Sequence, residues 1–290
     1  MSIVVGYQPG HGGDEALELG AGLAVALATD LVLVTATPKP WTTPSMARVD
    51  AEFSAYSRRY GDDAEAAAHV HLSRRFPGIP AAFHQVRERS VSKSLHKILG
   101  EHDADILVLG TSHGTDDGRM SLGATTGRFT HSSAVPLALA PKGYTCTGIS
   151  RLTCAYSGDE HGVDVVLATG ELAQQMSVPL RVATFGVRPA DMFPPEVGLD
   201  AERTVMEAWK EQMAASMNAL VADHIIGPAT TTTIGTGGDW DTAFDAIGWT
   251  DGDLLTIGTT PRDPIKRVFL GSRAAKIVAA STVPAIVFPG

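Results

Sequence analysis

Gly258, Gly271 and Ser272, with Arg262, Lys266, Arg267 and Arg273 around them, are the residues in this chain best suited to chemistry. Glycines let the backbone approach a ligand closely and adopt positive φ. The first N–H groups of a following helix attract an anion, and a serine hydroxyl adds a donor. The basic side chains face only Asp263 in that segment, so the local balance is positive. The chemistry on offer is the holding of a phosphate or a related anion, not bond breaking. Pro261 works against it, because proline removes a backbone donor and stiffens the loop.

The same pattern occurs once before. Residues 103–141 align without a gap on 251–289, since Gly258 minus Gly110 and Gly271 minus Gly123 both give 148. At an offset of 149, Tyr7 falls on Tyr156, Gly13 on Gly162, Leu23 on Leu172 and Thr35 on Thr184. A period of this size is a duplicated domain and not a solenoid. The first copy offers Gly110, His113, Gly123 and Thr125, with Arg119 and Arg128 balanced by Asp116 and Asp117. An anion is therefore expected to prefer the second copy.

Other candidates are weaker. His69 and His71 would face one way on an extended segment, near His84, but they fall at the end of a helical pattern and no third ligand is spaced for a closed metal site, so surface histidines are expected. Ser157-Gly158-Asp159 after a strand faintly resembles an ATP-pyrophosphatase loop, which Glu160 and His161 break. No Walker loop, nucleophile elbow or His-Glu-x-x-His helix is present, and no catalytic base stands out. The stripe Met206, Met213, Met217 and Leu220 reads as core.

The elements that must position these residues alternate strand and helix, the signature of a parallel α/β sheet. Strands are predicted at Ile3–Tyr7, Leu31–Thr37, Pro80–Arg87, Ile106–Leu109 and Val135–Ala140, and again at Leu152–Tyr156, Leu180–Phe185, Thr230–Ile234, Leu254–Ile257 and Ala285–Phe288. Helices are predicted at Asp14–Ala28, Pro44–Phe76 with a break near Gly61, Val91–Leu99 and Ala124–Ser133. The second set is Val163–Met176, Ala201–Asp223, Thr242–Ile247 and Arg273–Ala280. Lys142–Ser150 reads as the linker, placing domains at 1–143 and 150–290.

The chain has 290 residues, 44% of them hydrophobic and 19% charged, with a formal net charge of −9. That charge argues against general nucleic-acid or anionic-membrane partners. No apolar run reaches the roughly 18 residues of a spanning helix, and Met1–Gly10 lacks a signal-peptide pattern, so a cytoplasmic protein is expected. Cys146 and Cys154 are expected to be reduced thiols.

Taken with the element order, the doubled loop resembles the universal stress protein family in a tandem two-domain form. That family's loop runs Gly-x2-Gly-x9-Gly-(Ser/Thr). It is matched by Gly258, Pro261 and Gly271-Ser272, and by Gly110, His113 and Gly123-Ala124. The resemblance implies two flavodoxin-like (adenine-nucleotide alpha-hydrolase-like) domains, each with a five-stranded, mainly parallel sheet. It further implies an internal pseudo-dimer in which the final strands meet, with a monomer or homodimer as the assembly and protein partners left unidentified. Nucleotide-binding members hold ATP phosphates and ribose on this loop, and an Asp after the first strand contacts the adenine side. That Asp position falls on Gln8 and Ser157 here, and Phe185, ending the second half's second strand, joins the expected pocket. The resemblance therefore implies ATP or another nucleotide as a weakly held ligand, chiefly in the second half. A regulatory or scaffolding protein with decayed sites, and an adenylate-forming enzyme of the wider superfamily, are the alternatives.

Overall fold

Short runs of Val, Ile, Leu and Ala make the strands, and the segments between them cover both faces of the sheets. The computed structural model describes residues 1–38, 47–88, 90–111, 118–130, 132–187, 199–259, 268 and 270–289. It divides into two units, Met1–Cys146 and Thr147–Gly290.

The first unit runs β1 (Ser2–Gly6), α1 (Gly13–Leu27), β2 (Asp30–Pro38), α2 (Ala47–Arg75), β3 (Ala81–Glu88), α3 (Val91–Glu101), β4 (Ile106–Gly110), α4 (Ala124–Phe129) and β5 (Leu137–Ala140). All its strand pairs are parallel, in the order β3-β2-β1-β4-β5. Ile3, Val4, Val5, Leu107 and Val108 are completely buried, as expected of a sheet covered on both faces.

The second unit repeats the order: β6 (Arg151–Ala155), α5 (Glu160–Gln175), β7 (Leu180–Val187), α6 (Leu199–Ala222), β8 (Thr231–Gly237), α7 (Trp240–Asp245), β9 (Asp253–Gly258), α8 (Ser272–Ala280) and β10 (Ala285–Phe288). Its parallel order is β8-β7-β6-β9-β10. In each unit the strand order reverses at one place, between β1 and β4 and between β6 and β9. Ligand crevices of doubly wound sheets lie at that switch point, beyond the carboxyl ends of the strands.

The duplication reaches single hydrogen bonds. Thr111 Oγ1 donates to the Ala140 carbonyl at 2.7 Å, and Thr259 Oγ1 to the Phe288 carbonyl at 3.0 Å. Ser133 Oγ donates to the Val135 carbonyl at 2.6 Å, and Ser281 Oγ to the Val283 carbonyl at 2.7 Å. Ala28 (φ 49°) and Ser177 (φ 56°) take the same left-handed step after α1 and α5.

Two details differ from the sequence reading. Helix α2 runs through Gly61 unbroken. A Cβ at Gly61 would fall 1.3 Å from Gln85 Nε2, so the glycine makes room for the β3 side chain. Gln85 in turn donates to the Ser57 carbonyl at 3.1 Å and the Arg58 carbonyl at 3.3 Å. His69 and His71, both on this helix as predicted, diverge, and the expectation of surface histidines holds for His69 but not for the half-buried His71. His69 pairs with Glu65 on the surface, and His71 Nε2 meets Glu18 Oε1 at 2.6 Å.

That Glu18, nearly buried on α1, is the hub of the first unit's polar packing. It accepts from Arg75 at 2.9 and 3.1 Å and from the Cys146 amide at 3.0 Å, while Arg75 also donates to the Cys146 carbonyl at 2.9 Å. Burial alone would raise the Glu18 pKa, but these donors outweigh it and hold the carboxyl below its ordinary value. In the second unit the corresponding burden falls on Asp253. It accepts from Arg151 at 2.5 and 2.6 Å, with Arg181 Nη2 at 3.6 Å. Arg181 stacks over Trp249, with the guanidinium carbon 4.8 Å from the ring centre. Burial raises the Asp253 pKa; Arg151, the Thr250 amide and Arg181 together bring it below normal.

Both cysteines are free and buried, one in each unit. Cys154 packs in a core with Tyr156, Val166, Val182 and Met217, and its burial pushes the thiol pKa up to about 12. Met213, Met217 and Leu220 of α6 are buried as core.

Candidate functional site

At the second switch point lies a cavity of about 300 Å³, bounded by the residues after β6, the ends of β7 and β9, and the start of α8. Ser157, Phe185, Gly258, Gly271, Ser272 and Arg273, all drawn from the sequence, converge on it. Arg262, Lys266, Arg267, Pro261 and Asp263 lie outside the described residues.

The start of α8 is the anion-holding part. Its N-cap, Gly271, is extended (φ −66°, ψ 165°) and supplies no side-chain cap. Helices α3, α5 and α7, by contrast, are capped by Ser90, Asp159 and Asp239. An uncapped helix start facing a cavity leaves its first N–H groups for an outside acceptor. Arg273, two residues past Gly271, reaches across the cavity, and its Nη2 donates to the Phe185 carbonyl at 2.7 Å.

The opposite wall holds a carboxylate that the motif comparison missed. Asp159 lines the cavity, accepts from Ser157 Oγ at 2.6 Å and caps α5 by accepting from the Gly162 amide at 2.8 Å. Burial works to raise its pKa, but those two bonds prevail and keep the carboxyl below its ordinary value. The Ser-Gly-Asp run noted in the sequence is thus a turn through Gly158 (φ 86°) into a helix cap. The acidic group is two residues past Ser157, where family spacing would place it. An Asp three residues ahead of a small helical residue was the available signal.

The first cleft has the same plan and less room, about 130 Å³. Gln8, Gly110 and Thr125 line it. Gly123, the N-cap position of α4, supplies no side-chain cap, as Gly271 supplies none to α8, and it does not line this cleft. His113, Asp116 and Asp117 lie outside the described residues. Its loop occupies the space: a Cβ on Gly110 would fall 1.7 Å from the Gly12 carbonyl oxygen, and one on Gly12 2.2 Å from the Thr111 carbonyl oxygen. Backbone therefore lies on backbone where the second cleft is open. Tyr7 OH donates to Asp14 at 3.3 Å beneath it, and burial together with that carboxylate pushes the phenol pKa up.

Comparison with known proteins bears directly on this doubled arrangement. A family model described as the universal stress protein family matches residues 1–141 and again 148–289. This chain belongs to the universal stress protein family. A universal stress protein of Mycobacterium tuberculosis is 40% identical over 292 aligned residues, covering 100% of both chains. Among solved structures, a universal stress protein from Archaeoglobus fulgidus matches with a TM-score of 0.61 at 13% identity, covering 99% of this chain and 97% of that one. A functionally unknown protein from Pseudomonas aeruginosa matches at 0.59 and 12%, covering 99% and 92%. These structural likenesses speak for the fold. In the two matched segments Gly110 and Gly258 end equivalent strands, and the segments differ in what surrounds them. No group of three or more His, Cys, Asp or Glu residues suited to a metal ion occurs among the described residues, and no described helix is long and apolar enough to cross a membrane.

Proposed function

We propose that this stress-response protein works in the cytoplasm and holds a nucleotide or a related compact anion in its second domain. The observation that carries the reading is the uncapped start of α8 at Gly271-Ser272, opening on a cavity that Arg273 also enters. Helix dipole, free amides and a fixed positive charge act together there. Ser157 in the family's Asp position weakens the adenine contact, so base selectivity is low.

In the first domain the contact of Gly12 with Gly110 supports the other reading, a scaffolding or regulatory domain that no longer binds nucleotide.

Native mass spectrometry of the purified chain, followed by hydrogen exchange with added ATP, ADP or AMP, tests both. One ligand per chain is expected, with protection at Gly271–Arg273 and none at Gly123–Thr125. Protection confined to the first cleft, or no adduct and no protection, defeats the reading.

A further inference from the structure

Arg273 lies where a ligand would lie. The last β6–β7 pair is Ala155 with Ala183, so Phe185 stands two residues beyond the end of that ladder. Its carbonyl, at the cavity wall, is satisfied by Arg273. The first domain lacks this arrangement: Thr125 and Ala36 are the repeat equivalents and line the first cleft, and a threonine carries no guanidinium to place across it. Burial holds the Arg273 pKa below its ordinary value, and Asp159, on the far wall, works the other way at longer range.

We infer that Arg273 is a built-in occupant of the second cleft, selecting compact anions and excluding neutral nucleosides. The inference rests on reading the cleft as an anion site and adds what it chooses. A guanidinium on a neutral carbonyl is a weaker match than a guanidinium on a phosphate. An arriving anion gains Arg273 and the α8 amides together. A nucleoside seeking the Phe185 carbonyl must displace Arg273 and offers no charge in return.

Calorimetry of the intact chain with pyrophosphate and with adenosine separates the possibilities, using wild type, Arg273→Thr and Arg273→Lys. Wild type is expected to bind pyrophosphate and not adenosine. Arg273→Thr, which copies the first domain, should lose about tenfold or more in pyrophosphate affinity, the worth of one charge-assisted contact, and gain adenosine binding. Arg273→Lys keeps the charge without the fork and should keep most of the pyrophosphate affinity while still excluding adenosine. Unchanged pyrophosphate binding in Arg273→Thr overturns the inference. So does a loss without any gain for adenosine, which would make Arg273 an ordinary anion ligand and leave the cleft's function standing. If wild type and both variants bind neither probe nor ATP, the anion reading itself falls.

Discussion

In the first domain the loop after β1 lies down on the end of β4; in the second it turns at Gly158 into a helix that Asp159 caps, and the cleft behind it stays open. In repeat register α5 starts at the equivalent of His11, two residues before the position where α1 starts at Gly13. Gly10, the equivalent of Asp159, has φ 69° and no side chain to cap with. The strands of the two halves share order and register, so the scaffold does not decide which cleft is open. A few residues between β1 and α1, or β6 and α5, do.

The sharpest way to test how far the halves have diverged lies at the opposite end of the sheets. Asp105 and Asp253 are repeat equivalents. Asp253 is fully buried between two arginines, whereas Asp105 is 44% exposed beside the N-terminus. Asp253→Ala should cost about 3–5 kcal/mol, because it leaves Arg181 buried without its counterion. Asp105→Ala should stay within about 1 kcal/mol. Hydrogen exchange read separately in β4 and β9 measures both, and equal losses would contradict the contrast.

A smaller effect tests the clefts themselves. Gly110→Ala drives a methyl into the Gly12 carbonyl, which is backbone and must shift. At Gly258 the obstacle is Val165 Cγ2, 2.2 Å away, a side chain that can rotate. Losses of about 2–3 and about 1 kcal/mol are expected. Denaturant midpoints for each domain should keep that order; a reversal would mean that the first cleft is not closed by its own loop.

The smallest effect concerns the cap. Asp159→Ala should destabilise α5 by about 1 kcal/mol at neutral pH. The folded pKa of Asp159 lies below its ordinary value. Its stabilisation is therefore complete above the unfolded carboxylate value, about 3.9, and disappears as pH falls through the folded value. Wild type and variant should converge in strong acid, and a constant gap would remove the carboxylate from the explanation.

The duplication and the succession of strands and helices along the chain were legible in the sequence because apolar runs and repeated glycines are local signals; the order of strands within each sheet came from the structure. Gly258, Gly271 and Ser272 could be placed for the same reason. What escaped depended on contacts between distant parts of the chain. Gly61 looked like a helix break until Gln85, from another strand, occupied the space. Asp159 stood outside the family's spacing and reached the cleft only through the turn at Gly158. Arg273 was noted for its charge, yet its hold on Phe185, 88 residues away, is a product of tertiary structure. The ion group around Asp253 joins three strand ends and has no motif.

The free cysteines have a practical consequence. Cys146 is held at the Glu18 hub of the first domain, and Cys154 sits in the core of the second. A thiol reagent reacts with a thiolate, and only where it can reach one. Each cysteine must therefore wait for the structure around it to open, locally or globally, before it can be alkylated. One native chain thus carries two built-in clocks, and mass-resolved labelling rates would time the opening of each half without a single engineered probe.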